Sequence, residues 1–308
     1  MNVISARPRL LGLVCGAGAV VLGLAYMFMA GAPPRYLLVN IAALVLGTIA
    51  WLALRPAAAT RLTGSGPVVL ALAVTILATA MFGVAADGAS RWVSVGPLSL
   101  QISLIVLPLM IVLHARSADA IGTVGMVVAA LALAAQPDRA MAGVLLAGLL
   151  ATMVARPSRR TILPAAAAML AFGWTLLKPD TLPASPYVDR VFYTAFDVHP
   201  LAGLAVVIGA VALLLPAAVG ALQRASDRLA LLAFGGCWLA VVVAAALDNY
   251  PTPLVGYGGS AVLGYLLSVA LLPNTIRDSS LGDAPKSGPA LNPVSSQTPS
   301  ELHIAGLT

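Results

Sequence analysis

The feature that most constrains this chain is a succession of long apolar runs, at about residues 10–30, 36–54, 67–86, 101–115, 119–135, 140–155, 161–177, 199–220, 228–247 and 257–273, each bounded by charge, proline or glycine. A helix rises ~1.5 Å per residue, so roughly 20 apolar residues cross a ~30 Å hydrocarbon core. About ten such runs predict an all-α fold, a polytopic integral membrane bundle of about ten transmembrane helices. Strands of a membrane barrel would alternate apolar and polar residues, and these runs do not. Composition excludes a water-soluble globule: 9% of the residues are charged and 60% are hydrophobic, which leaves too little polar surface to cover one.

Charge placement predicts the orientation. With the N-terminus in the cytoplasm, the inside segments hold Arg7, Arg9, Arg55, Arg61, Arg116, Arg156, Arg159, Arg160, Arg224, Arg228, Arg277 and Lys286, twelve of the 17 basic residues. The five left outside are Arg35, Arg91, Arg139, Lys178 and Arg190. That asymmetry predicts N-in, C-in. Because the +6 net charge is distributed over the ends of apolar runs and not gathered in one patch, the partner it indicates is the lipid bilayer and not nucleic acid. Arg7 and Arg9 precede an apolar run too long for the core of a cleaved signal peptide, so the first run is expected to remain as a span. Residues 1–277 form the expected transmembrane domain, and 278–308, rich in Ser, Pro, Gly and Asn, the expected disordered cytoplasmic tail. Cys15 and Cys237 lie within apolar runs and are expected to be buried as small hydrophobes.

Chemistry requires polar groups, and they concentrate between Lys178 and Pro200, which hold Lys178, Asp180, Asp189, Arg190, Asp197 and His199. If 189–200 is helical, Asp189, Tyr193 and Asp197 repeat along one face with Phe192 and Phe196 alongside. A carboxylate screened by aromatics has a raised pKa, which suits a general base. His199, without a second histidine nearby, reads as a first-turn residue, and His114 as a group capping the last carbonyls of its own helix. Three other segments break the apolar pattern. Residues 87–103 carry Asp87, Arg91 and Trp92 before a Gly96-Pro97 turn, and 134–143 carry Asp138 and Arg139 at a tight turn, where the plain reading is a helix end-cap. Residues 248–265, with two prolines and three glycines before Ser260, imply irregular backbone that is tolerated at membrane depth only if buried in protein or lining a wet cavity.

Taken in order, these segments resemble the SEDS family of peptidoglycan glycosyltransferases (FtsW/RodA-like). GASRWVSVGPLSLQIS stands where family members carry a pattern like GARRWIxxGPFxxQPSE, and Gln136-Pro137-Asp138 matches their QPD. Pro253-Leu254-Val255-Gly256-Tyr257-Gly258-Gly259-Ser260 is similar to LPxPFISYGGSS. The family's functional aspartate lies in a pattern like HTDFIFAVIGEELGLIG. VDRVFYTAFDVHPLAG (188–203) can be laid on it without gaps, with Asp189 on that aspartate, Phe192 on a Phe, Asp197 on a Glu and Gly203 on a Gly. Departures are specific: Tyr187 and Val188 replace His and Thr, and QPSE becomes Gln101-Ile102-Ser103-Leu104. Leu107 stands at a family Lys, and only about ten residues separate Lys178 from Asp189 where relatives carry a much longer loop.

The resemblance implies a lipid II polymerase at the outer leaflet of the bacterial cytoplasmic (inner) membrane, acting in cell division or in wall elongation and cell shape. It implies a class B penicillin-binding protein transpeptidase as partner and a divalent cation, Mg or Mn, as a possible cofactor; the sequence itself offers no metal site. Asp189 is the expected catalytic base. Arg91, Trp92, Asp138, Arg139, Lys178, Arg190, Tyr257, Gly258, Gly259 and Ser260 are the expected substrate and diphosphate contacts. Two alternatives stand beside it: a catalytically degenerate scaffold or regulator of the same machinery, and a lipid-linked sugar flippase or transporter. The transporter would require polar residues deep within the spans, which are scarce here.

Overall fold

The computed structural model describes residues 7–59, 64–86, 89–96, 98–179, 183–222, 228–247 and 249–273. The expected tail, Asp87 and Asp180 therefore lie outside the described residues. Twelve helices and three strands make up the described part. They run α1 (Pro8–Met29), α2 (Pro34–Ala59), α3 (Gly66–Phe82), β1 (Val84–Ala86), β2 (Ala89–Val95), β3 (Leu98–Gln101), α4 (Ile102–Arg116), α5 (Ala120–Ala135) and α6 (Arg139–Ala155). The chain continues through α7 (Arg159–Leu176), α8 (Val191–Val198), α9 (Pro200–Ala212), α10 (Leu215–Leu222), α11 (Arg228–Leu247) and α12 (Gly259–Ala270).

Each predicted apolar run is helical over most of its length, which follows from the requirement that backbone N–H and C=O groups be satisfied inside a segment where water is absent. Large apolar side chains cover the outside, with Phe82 83% exposed, Val154 78% and Leu170 76%, a surface suited to lipid and not to water. The molecule is a multi-pass integral membrane protein. Its spans are less uniform than the sequence suggests. By length and composition α1, the Pro34–Leu54 part of α2 and α11 can each cross a membrane, and α9 and α10 pass the same test only as a pair, bent by 44°. Helices of 15 to 17 residues such as α3 to α6 rise roughly 23–26 Å, so the bilayer must thin or the adjoining segments must complete the crossing.

The bend between α9 and α10 releases backbone carbonyls, and the Tyr265 hydroxyl of α12 donates to one of them, Leu213 O, at 3.2 Å. Tyr265 belongs to a buried aromatic cluster with Trp238 and Phe234, ring centroids 5.0 and 5.5 Å away, and the Trp238 indole donates to the Ser268 hydroxyl at 3.1 Å. Around this centre α3 packs on α5, α6 on α11, α2 on α12 and α1 on α9. Both cysteines are free and buried.

Small residues permit the closest approaches. A Cβ on Gly23 of α1 would lie 2.5 Å from the Val255 carbonyl oxygen and 2.6 Å from its Cα, so helix and loop backbones touch there. Gly23→Val is expected to destabilise the fold by about 1–3 kcal/mol, because the obstruction is backbone and cannot swing aside. Thermal unfolding of the purified variant in detergent checks this, with Gly18→Val, which meets nothing within 4 Å, as the control.

The segment between the third and fourth apolar runs is an unforeseen element. It is not a simple turn but an antiparallel meander, β1-β2-β3, with Val95 paired to Leu98 across a two-residue connection. Gly96 takes φ 60° there, the left-handed conformation a tight hairpin demands. Neighbouring Arg91 and Trp92 therefore point to opposite faces of the strand.

Candidate active site

Three loops meet at the end of the bundle from which α4, α6 and α12 start. The first, residues 183–190, holds Asp189. Its backbone N–H donates to Ser185 O at 3.0 Å, and its Oδ2 accepts the Ser185 N–H at 2.8 Å, a local loop that a short polar side chain can close upon itself. Asp189 also forms a β-bridge with Pro251, while Thr252 N donates to Val188 O at 2.9 Å and Tyr257 N to Tyr187 O at 2.6 Å. The Asp189 loop is thus clamped against the second loop, 249–258. Burial raises the pKa of the Asp189 carboxyl from its ordinary value, and the Ser185 N–H opposes this more weakly.

The expected helical face through Asp189 is corrected by the structure. Helix α8 begins only at Val191, because Arg190 adopts φ 58°, left-handed backbone that starts the helix after Asp189 and not through it. Tyr193 and Asp197 therefore share a helix with each other but not with Asp189. Tyr193 donates to Ala246 O at 2.6 Å, Asp197 is exposed, and His199 Nδ1 accepts Leu201 N–H at 3.1 Å as the cap of α9.

Residues 252–256 are buried, so the irregular backbone lies within protein. Asn40 of α2, itself fully buried, holds that loop with both ends of its amide, donating to Gly256 O at 2.8 Å and accepting from Gly258 N at 3.1 Å. Tyr257 stacks on Tyr36, centroids 3.9 Å apart, with the Arg35 guanidinium 5.2 Å from the Tyr36 ring. Desolvation raises the Tyr257 phenol pKa, assisted by Tyr36 and opposed by Arg35. Sequence reasoning missed Asn40, although a lone amide inside an apolar run is a costly residue that signals a buried partner. Asn40→Ala is expected to leave the Gly256 carbonyl and Gly258 N–H without it and to cost about 2–4 kcal/mol. Calorimetric unfolding measures the loss.

The third loop carries Asp138. Its Oδ1 caps α6 by accepting Met141 N–H at 3.2 Å, and its Oδ2 accepts from the Gln101 amide at 3.1 Å and the Ser103 hydroxyl at 3.2 Å. Gln101 N in turn donates to the Ser260 hydroxyl oxygen at 3.0 Å, which joins this network to the start of α12. The Arg91 guanidinium donates to Pro137 O at 2.6 Å, directly before Asp138. Arg139 donates to Lys178 O at 3.0 Å, and the Lys178 ammonium sits 4.6 Å from the Trp174 ring centroid. Arg91, Asp138, Arg139, Lys178 and Ser260 thus assemble around one turn, and Asp189 and Tyr257 around the neighbouring loop. A small cavity of about 20 Å³ is lined by Gln101 from the first group and by Pro251, the bridge partner of Asp189, from the second. Trp92 is paired with Gln101 across the sheet, Gly258 and Gly259 lead into α12, and Arg190 is exposed beside Asp189. Leu104 and Leu107 are packed in the core.

No group of three or more His, Cys, Asp or Glu side chains comes together among the described residues. They therefore provide no protein cage for a magnesium or manganese ion, and no chemistry is assigned to one here.

The fold and these loops define a class: a multi-pass helical membrane protein with an acidic and basic loop cluster at one end of the bundle. No known family's sequence model and no curated protein matches the chain. Solved structures do match. The rod shape determining protein RodA of Thermus thermophilus superposes with a TM-score of 0.61 at 22% identity, over 84% of this chain and 94% of that one. An aspartate-to-alanine mutant of the same protein gives 0.60 at 23%, again over 84% and 94%. A chain from a structure described as "Structural coordination of polymerization and crosslinking by a peptidoglycan synthase complex" gives 0.60 at 22%, over 84% and 95%. The chain has the RodA fold.

Proposed function

We propose that this chain is a divergent member of the SEDS family that polymerises lipid II into glycan strands. The site faces the outer leaflet of the bacterial cytoplasmic membrane, in the N-in orientation that the basic residues favour. The observation that carries the reading is Asp189: a buried carboxylate of raised pKa, clamped to the Pro251 loop in a chain of RodA fold. In the proposed step Asp189 accepts the proton of the acceptor sugar hydroxyl as that oxygen bonds to the anomeric carbon of the donor. The bond from that carbon to the diphosphate breaks, and the lipid diphosphate leaves with the electron pair. Configuration inverts, since one displacement occurs. Arg91, Arg139, Lys178 and Arg190 are assigned to the negative charge that develops on the diphosphate. By analogy with the peptidoglycan synthase complex among the similar structures, a class B penicillin-binding protein supplies crosslinking during division or elongation.

A scaffold reading has its own support, because Leu104 and Leu107 are buried apolar residues at positions where the family resemblance leads one to expect charge. Incubating purified protein with lipid II, alone and with the transpeptidase, separates the two. Glycan polymer from wild type and none from Asp189→Ala is the expected result. Equal polymer from both overturns the role of Asp189, and polymer from neither under both conditions favours the scaffold.

A further inference from the structure

We infer that the opposite end of the bundle carries a binding site for an anionic phosphate group, of the kind borne by an acidic phospholipid. This inference does not depend on the proposed reaction. Helix α4 starts beside Asp138 and ends at Arg116, while α6 starts at Arg139 and ends at Ala155, so the far ends of both lie about 22–26 Å from the loop cluster. There they meet the start of α7 around a cavity of about 490 Å³. Its wall includes Arg116, Arg156, Arg159 and Arg160 together with Ser117 and Ser158, and among the described residues no acidic side chain lines it.

Basic residues at cytoplasmic helix ends are expected from topology alone. Topology does not require that four guanidinium groups, one from the end of α4 and three from the connection between α6 and α7, surround one cavity. Two of them are fixed by carbonyls: Arg116 donates to Leu271 O at 2.6 Å and Arg160 to Ala118 O at 3.0 Å. Arg156 and Arg159 are exposed at the rim. The first turn of α7 adds the positive end of a helix dipole.

His114 ties the wall together: it lines the cavity and is 1% exposed, its Nε2 engages Arg160 O at 3.1 Å, and its Nδ1 faces Gly122 of α5, away from the cavity. On that far side the Asp119 oxygens accept Gly122 N–H at 2.6 Å and Gly66 N–H at 3.0 Å, so this carboxylate is engaged at the start of α3 and α5. A phosphate in the cavity would meet guanidinium groups that match its oxygens in geometry. A site at this depth, at the membrane surface, is reached by lipid head groups.

The test is native mass spectrometry of the full-length protein in detergent, titrated with phosphatidylglycerol or phosphatidylcholine. Inorganic phosphate and pyrophosphate serve as competitors. Wild type is expected to retain phosphatidylglycerol over phosphatidylcholine. An Arg156→Gln, Arg159→Gln double variant should bind it on the order of 30-fold more weakly, from roughly five-fold per basic residue near an anionic surface. The Arg156→Lys, Arg159→Lys variant keeps the charge and should retain most of the affinity, which separates a lost site from a misfolded protein. Binding of phosphate or pyrophosphate without retention of phosphatidylglycerol, lost in the Gln variant, supports the phosphate site and assigns it to a soluble ligand. Equal retention by wild type and the Gln variant, or no binding by wild type, overturns the inference.

Discussion

Asp189→Asn is expected to lower lipid II polymerisation by about 10²- to 10⁴-fold, the range that a positioned general base contributes, while leaving the fold at least as stable as wild type at neutral pH. Asparagine retains a side-chain oxygen to accept the Ser185 N–H that Oδ2 now accepts at 2.8 Å. Only the ability to take a proton is lost. Since burial raises the Asp189 pKa, the ionised, active form prevails above that raised value, and activity falls as pH drops through it. The acid limb of the rate profile should therefore lie above the pH at which an unperturbed aspartate titrates. Stability has the opposite sign: the raised folded-state pKa disfavours the ionised group in the fold. Its contribution is most favourable below the unfolded-state pKa and declines as pH rises from there through the folded-state value. In Asp189→Asn that pH dependence disappears. An Asn variant that polymerises as well as wild type, in a profile with the same acid limb, would remove Asp189 from the reaction.

A structural effect as large as that at Asn40 is expected at Asp138. Asp138→Ala removes the cap of α6 and leaves the Gln101 amide and Ser103 hydroxyl without their shared acceptor in a site with no exposure. A lost cap costs ~1 kcal/mol and hydrogen bonds to a charged acceptor ~1.5–3 kcal/mol, so a destabilisation of about 2–4 kcal/mol should result. Thermal unfolding in detergent reads it, and Asp138→Asn should recover the cap while losing part of the Gln101 and Ser103 network. Because Gln101 N also bonds to Ser260, polymerisation should weaken alongside stability. A variant with wild-type unfolding temperature would show that the network is not needed to hold the three loops together.

The two carboxylates illustrate how a sequence can be legible for residue type and opaque for role. Both Asp138 and Asp189 stand out because charge is scarce in this chain. A tight turn correctly suggests that Asp138 caps a helix, yet its second oxygen binds residues 35 and 37 positions away, which no local pattern encodes. At Asp189 the local reading fails in a different way. Four-residue spacing suggests one helical face, but the left-handed backbone of Arg190 interrupts the helix, and a β-bridge to Pro251 replaces it. His114 differs similarly: its Nε2 engages the carbonyl of Arg160 in α7 and not the end of its own helix.

The sequence by itself determined the helical membrane bundle and the places where polar chemistry is concentrated. Apolar runs away from water leave the backbone few ways to satisfy its polar groups, and each charge in such a chain is costly enough to be conspicuous. Only the tertiary structure decided that β1, β2 and β3 form a sheet, that α9 and α10 bend, and that Asn40 holds a loop 216 residues further along. Contacts of that separation depend on which helices pack together and at what depth, and neither periodicity nor composition records that choice.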